Sequence, residues 1–243
     1  MKCPRYSFTL AGCALEALGS GALFWPDQGC LIVSDLHLGK AERMAHGGAY
    51  RPPHDTRDTL LRLETDMIAT GAEQVICLGD SFDDVVRIGG LSEQEHLWLA
   101  RLQAGRSWHW IAGHHAPAPV ALGGAHHNAM HIGPLALRHQ ADADFTAPAM
   151  TSDGVTAGGV PGKISGEISG HYHPQARVGF AQTSEETQTK PCFLIDAARV
   201  ILPAYGTYAG GLYRCDAIFE RLLAKDRVTV LTGPVAQAVP QGA

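Results

Sequence analysis

The sequence predicts an α/β protein built on layered sheet, and two observations carry that prediction. Between residues 30 and 112, short apolar runs alternate with stretches of helical periodicity, the pattern of strands linked through helices. Beyond residue 130 apolar runs recur with little helical sequence between them, so the second half adds mainly strands. A third observation is chemical: side chains able to bind metal stand directly after the strands.

In chain order, FTLAGCALEALGSGALFW (8–25) superficially resembles a secretory h-region, but Glu16 interrupts it and a strand, CLIVS (30–34), follows at once. Leu60, Leu63, Met67 and Ile68 then recur at helical spacing, with Asp55 or Thr56 as N-cap and Gly71 as terminator. A second strand is QVICL (74–78). Ser92 and Glu95 form an S-x-x-E capping box, which starts a helix running through Leu97 and Leu102. WHWIA (108–112) is the third strand. IGPLALR (132–138), KISGEIS (163–169), CFLID (192–196), RVILP (199–203) and RVTVL (227–231) are further strands, with a last helix over 216–224. Residues 140–162, rich in Ala, Gly, Pro and Asp, are expected to be a loop or insertion, and 184–190 a smaller loop. The expected organisation is one domain over 1–233 with a flexible tail, 234–243. No internal repeat is present.

A chain of 243 residues, 45% hydrophobic, has ample material for one large core. Its formal charge of -5 argues against a basic nucleic-acid glove, whose affinity rests on clustered Lys and Arg. Two bound divalent cations would leave about -1 and place positive charge where a phosphate must sit. The six cysteines form no C-x-x-C pair, so neither a zinc ribbon nor a disulfide framework is expected. No apolar run reaches the ~20 residues of a membrane helix. These features point to a cytoplasmic protein with no membrane association.

Five strand ends share one chemistry. CLIVS is followed by Asp35-Leu36-His37, QVICL by Gly79-Asp80, and WHWIA by Gly113-His114-His115. LALR is followed by His139, and GEIS by Gly170-His171-Tyr172-His173. Ligands of open α/β sheets bind beyond the carboxyl ends of strands, so residues distant in sequence converge there. Asp-x-His and His-x-His on an extended segment would point both side chains one way, toward one metal. Mixed imidazole and carboxylate without thiolate favours Mn, Fe or Zn over Mg or Ca. Alone, each fragment is ordinary; a single loop histidine is usually just solvated. His126, His127 and His131 could suggest a further metal but are read first as a solvated loop, and His46, His54, His96 and His109 are assigned to structural or exposed positions. Tyr205 and Tyr208 could stack bases or pack at a strand edge.

Taken in order, D-x-H, G-D-x-x-D, G-H-H, a lone His and G-H-x-H resemble the calcineurin-like metallophosphoesterase superfamily. LIVSDLHLGKAER, GGAYRPPHDTRDTL, LGDSFDD, GEISGHYHP and KPCF with ILPAYGTYAGGL resemble more closely its ligase-associated DNA damage response endonuclease (PdeM) family, and these stretches span residues 31–212. The resemblance implies a two-layered β-sandwich flanked by helices, with a dinuclear centre at the strand ends. It implies that Asp35, His37 and His173 hold one metal, that Asp80 bridges, and that His139 and His171 hold the other. Where the family has an Asn ligand this chain has His114, and where it has Asp or Glu this chain has Ala116. His114 is expected to act as the substitute ligand, and His115 to serve the leaving group.

The implied activity is hydrolysis of DNA phosphodiester bonds, as a single-strand endonuclease in repair, by hydroxide activated between two divalent ions, Mn first and Zn or Fe as alternatives. Arg43, Arg51 and Arg57 are candidate contacts to the nucleic-acid backbone. The family resemblance also implies functional association with DNA ligase and helicase repair proteins. Two rival readings are a phosphodiesterase for small nucleotides or phosphodiesters, and a catalytically impaired metal-binding repair partner.

Overall fold

The computed structural model describes residues 5–40, 55–82, 91–114, 122–146, 164–179, 187–207 and 210–239. It is a mixed α/β structure with two sheets and few helices. The first sheet contains, in spatial as in chain order, β1 (Tyr6–Leu10), β2 (Cys13–Ala17), β3 (Leu23–Trp25), β4 (Cys30–Val33), β5 (Gln74–Leu78), β6 (Ser107–Ile111) and β7 (Ala125–His127). Pairing is antiparallel from β1 to β4 and parallel from β4 to β7. The second sheet comprises β8 (Met130–Ile132), β9 (Leu135–Arg138), β10 (Gly166–Ser169), β11 (Gln175–Gly179), β12 (Thr187–Ile195), β13 (Arg199–Ile201), β14 (Val228–Leu231) and β15 (Gln237–Val239). Its order is β15-β14-β12-β13-β10-β9-β8, with β11 paired to β12, and only β9-β10-β13 run parallel.

Burial explains the continuous apolar strands. In β4 all of Cys30, Leu31, Ile32 and Val33 are buried, because successive side chains enter different layers. Leu31 and Val33 face Leu60, Leu63 and Met67 of α1 (Asp55–Thr70) and Leu99 and Leu102 of α2 (Glu93–Gln103). Cys30 and Ile32 face the second sheet, meeting Leu137, Ile168, Phe193 and Val200. That sheet covers its other side with Phe219 and Leu222 of α3 (Ala217–Leu222) against Cys192 and Leu194. The layers therefore run helix, sheet, sheet, helix. The cysteines behave as small core residues: burial pushes the Cys30 and Cys192 thiols up to about 12, and the described ones are unbridged.

Several expectations are corrected. IGPLALR is not one strand: Gly133 (φ 54°) and Pro134 turn the chain, and β8 and β9 pair antiparallel with Ile132 opposite Leu135. Residues 6–25, to which the sequence assigned no element, form β1 to β3, with Ala11 and Gly12 both at positive φ in the two-residue turn between β1 and β2. His126 and His127 lie in β7 and His131 in β8, not in a loop. Residues 187–190, expected as loop, belong to β12, and the expected tail supplies β15, paired with β14. Ile68 and Leu97 share helical spacing with core residues yet are exposed. Residues 147–162 of the expected insertion lie outside the described residues.

Candidate metal centre

Parallel pairing places several carboxyl ends at the same edge of each sheet. Past the last pair of β4 and β5, the ladder continues into the turns: Asp35 N donates to Gly79 O (3.2 Å), His37 N to Asp80 O (3.0 Å) and Leu38 N to Ser81 O (2.9 Å). In the second sheet Gly170 N donates to His139 O at 2.9 Å. The two sheets are joined there by Tyr205 N to Ser34 O (2.8 Å) and Gly206 N to Asp35 O (3.0 Å). The strand ends are thus laced to one another before any side chain is considered.

The ligand segments are not extended, contrary to the spacing argument. Asp35, His37, Asp80, His171 and His173 all have positive φ, between 43° and 71°. Tight left-handed turns, not the period of a strand, aim these side chains. Two preceding glycines permit the approach of the chains. A Cβ on Gly113 would lie 2.1 Å from Asp80 Oδ1, and one on Gly170 would lie 1.6 Å from Ser34 Oγ.

Seven expected side chains meet in two groups. Asp35, His37 and His173 form one, and Asp80, His114, His139 and His171 the other; within each, one candidate ligand atom per residue lies within 4.8 Å of the others. Each group draws on both sheets. His114 is exposed but its ring stacks on His171, centroids 4.4 Å apart, and stands 5.2 Å from His139. His115, Arg43 and Arg51 lie outside the described residues, as do Ala116, Tyr208, His46 and His54. Arg57 lies in the first turn of α1, where it contacts Glu95 (3.5 Å) and Gln94 (3.2 Å) of α2. Tyr205 is fully buried and donates to Asp66 at 2.8 Å, which removes it as a stacking platform. His109 and His127 hydrogen-bond each other at 3.1 Å, away from both groups.

Proton positions follow from the partners. His139 Nδ1 lies 2.7 Å from Leu78 O; the carbonyl only accepts, so this nitrogen carries a proton and a neutral ring presents its Nε2 lone pair. That Nε2 is buried, 3.3 Å from Asp80 Oδ2, and lacks an aligned hydrogen bond. His173 repeats the arrangement, with Nδ1 2.8 Å from Gly210 O and Nε2 3.2 Å from Asp35 Oδ1, itself buried without an aligned donor. A lone pair facing a carboxylate is repulsive unless a second proton or a cation intervenes. Donors sharing an ion at ~2.0–2.2 Å stand roughly 3–3.5 Å apart, so these separations fit a divalent cation. The carbonyl bonds are the kind of outer support that orients metal-binding imidazoles.

Without a cation, protons take that role. Burial opposes charge on His139, but Asp80 and Asp35 outweigh it and raise its pKa. Burial likewise opposes charge on His173, where Asp35 and the Gly210 carbonyl prevail and raise it. His171 moves down, through burial and the neighbouring His139 and His114 rings. Burial pushes the Asp35 carboxyl up, yet His173, His139 and the Ser34 hydroxyl hold it below the ordinary carboxylate value. Its Oδ2 accepts from Ser34 Oγ (2.5 Å) and His171 N (2.9 Å), leaving Oδ1 for the centre. Ser34 escaped the sequence reading, because a serine ending a strand carries no distinguishing signal.

Neither a protein-family model nor a curated protein matches the chain. Among solved structures it is similar to the crystal structure of Pseudomonas putida nuclease MPE, with a TM-score of 0.72 and 24% identity, covering 97% of this chain and 100% of that one. That likeness is one of fold.

Proposed function

We propose that this chain is a metal-dependent phosphodiesterase that cuts DNA, single strands foremost, and acts in repair in the cytoplasm. The observation that carries the reading is the gathering of seven imidazole and carboxylate side chains from five strand ends into two adjoining groups. The nuclease named in the fold comparison supports DNA as substrate. Asp35, His37 and His173 would hold one cation and His114, His139 and His171 a second, with Asp80 as the carboxylate that would serve both. Mn suits this donor set, with Zn or Fe as substitutes. Bound there, two such cations supply a water acidified enough to attack phosphorus and a countercharge for the phosphate oxygens.

The chain's own residues do the rest. Leu78 O and Gly210 O hold His139 and His173 in the tautomer that directs Nε2 inward. Ser34 and the His171 amide occupy Asp35 Oδ2, so one oxygen only faces the centre. His115, next in the chain after His114, is the proposed donor of a proton to the leaving oxygen. Arg43, Arg51 and Arg57 are the proposed contacts to the strand's backbone, and DNA ligase and helicase repair proteins the proposed functional associates. The position of His114 beside His139 and His171 favours a competent second site over an idle one.

The test is cleavage of circular single-stranded DNA by Mn-loaded protein, with metal content measured in parallel. Two ions per chain are expected, and Asp80→Ala should lose one or both and at least ~100-fold in rate. Equal cleavage by Asp80→Ala would overturn the reading. Faster turnover of a cyclic nucleotide or of bis-p-nitrophenyl phosphate than of DNA would make it a small-phosphodiester enzyme. About one ion per chain and no turnover would make it a metal-binding partner protein.

A further inference from the structure

We infer that a pocket adjoining His173 receives a phosphate of the strand next to the scissile one, with Arg62 as its anion-binding residue; this rests on the nuclease reading above. The pocket encloses about 370 Å³, within the ~300–1,000 Å³ of ordinary ligand sites. Its walls belong to the same strand-end layer as the metal centre. They are the Gly19–Ser20 turn between β2 and β3, the segment of Ala204 to Thr207 after β13, and Thr232 and Gly233 after β14, with His173 at one side. His173 is therefore shared between the cavity wall and the first candidate group.

Its chemistry is that of an anion site. In a chain of net charge -5, no carboxylate is among the described residues lining it, whereas Arg62 is. A second cation stands at the rim, where Lys190 Nζ comes within 3.9 Å of the point a Cβ on Gly233 would occupy. Arg62 is held rather than loose. Its guanidinium packs over the Tyr205 ring, 4.6 Å from the centroid, while Nη2 donates to Tyr205 O and lies 3.5 Å from Thr207 Oγ1. Arg62 also borders a neighbouring hollow lined by Asp58 and Asp66, and there Asp66 is engaged by the Tyr205 hydroxyl, from which it accepts at 2.8 Å. A planar guanidinium already anchored by stacking loses little further entropy when a phosphate binds. A polar pocket of this size admits one sugar-phosphate unit of a flexible strand, and its place beside His173 puts that unit directly next to the reacting phosphate.

The experiment uses the full chain and the variants Arg62→Gln and Lys190→Gln. Binding of a fluorescent single-stranded 12-mer is followed by anisotropy in EDTA across a salt series, and Mn-supported turnover is compared on the oligomer and on bis-p-nitrophenyl phosphate, which lacks a flanking phosphate. Each variant should weaken oligomer binding by roughly 5–10-fold at low salt and reduce the salt slope by about 1. The ratio of kcat/KM for oligomer to that for the small diester should fall by a similar factor. If Arg62→Gln is poorly folded, Lys190→Gln at the rim decides. Wild-type affinity, slope and ratio in the folded variants would overturn the pocket, as would a wild-type chain that does not bind the oligomer. Variant-sensitive binding with no cleavage by the wild type would retain the pocket and sink the nuclease reading.

Discussion

At five of the seven candidate ligand positions the backbone occupies the left-handed region, and among the described residues only Ala11 joins them as a non-glycine. Asp and His tolerate that region better than most side chains, but it still costs of order 1–3 kcal/mol per residue and persists only where packing enforces it. The enforcing contacts are close: Asp35 Oδ2 is gripped by Ser34 and the His171 amide, with Gly170 between them. Gly170→Ala tests this grip. Its methyl carbon would lie 1.6 Å from Ser34 Oγ and 2.7 Å from Asp35 Oδ2, so one of the two must move. Metal affinity should fall at least ~10-fold by calorimetric titration and stability by about 1–3 kcal/mol in urea. Unchanged metal affinity would show that the approach is not needed. The residue types were legible in the sequence; their left-handed turns were not, since D-x-H spacing reads equally as an extended pair.

Elements with strong local signals formed as the sequence foretold. The S-x-x-E box is present at α2, where Glu95 N donates to Ser92 Oγ (3.3 Å) and Ser92 N to Glu95 Oε2 (2.8 Å). Gly71 ends α1 at φ 66°, its amide bonded to Met67 O at 2.9 Å. Ser92→Ala should cost ~1 kcal/mol, read as a lower urea midpoint at unchanged m-value, and should leave bound metal as it was, because α2 packs on the outer face of the first sheet and supplies no residue to either candidate group. A loss of metal would place α2 closer to the site than its packing does. The elements that escaped are short strands of mixed polarity: β1 and β2 mix buried, half-buried and exposed residues, β7 is Ala-His-His, and β8 is Met-His-Ile. Such strands exist because a partner supplies the other half of the ladder, and a window of three to five residues does not carry that information.

At the scale of the molecule, each ligand group is divided between the sheets. Asp35, His37, Asp80 and His114 follow strands of the first, and His139, His171 and His173 follow strands of the second. Divalent ions bound there would cross-link the two layers, so metal should raise the Tm and EDTA should lower it. At a free-metal level of 100 Kd the expected gain is ~2.7 kcal/mol. The pH dependence has a definite sign. His139 and His173 have raised pKa values in the metal-free fold, so protons compete with metal at and below those values and are released on binding. The metal-induced rise in Tm should therefore grow as pH increases through neutrality and shrink in acid; the opposite trend in differential scanning fluorimetry would contradict the assigned ligands. By itself the sequence determined the candidate ligand residues, their order, the strands before them and the capped helices, because propensity, capping and hydrophobic period are local properties. Only the tertiary structure decided which ligands share a group, which tautomers face inward, and that residues 8–25 and 237–239 complete the sheets. Those outcomes depend on contacts between distant segments, Asp35 with His173 lying 138 positions apart and Ser34 with Tyr205 171, and no local window holds the energy of such a contact.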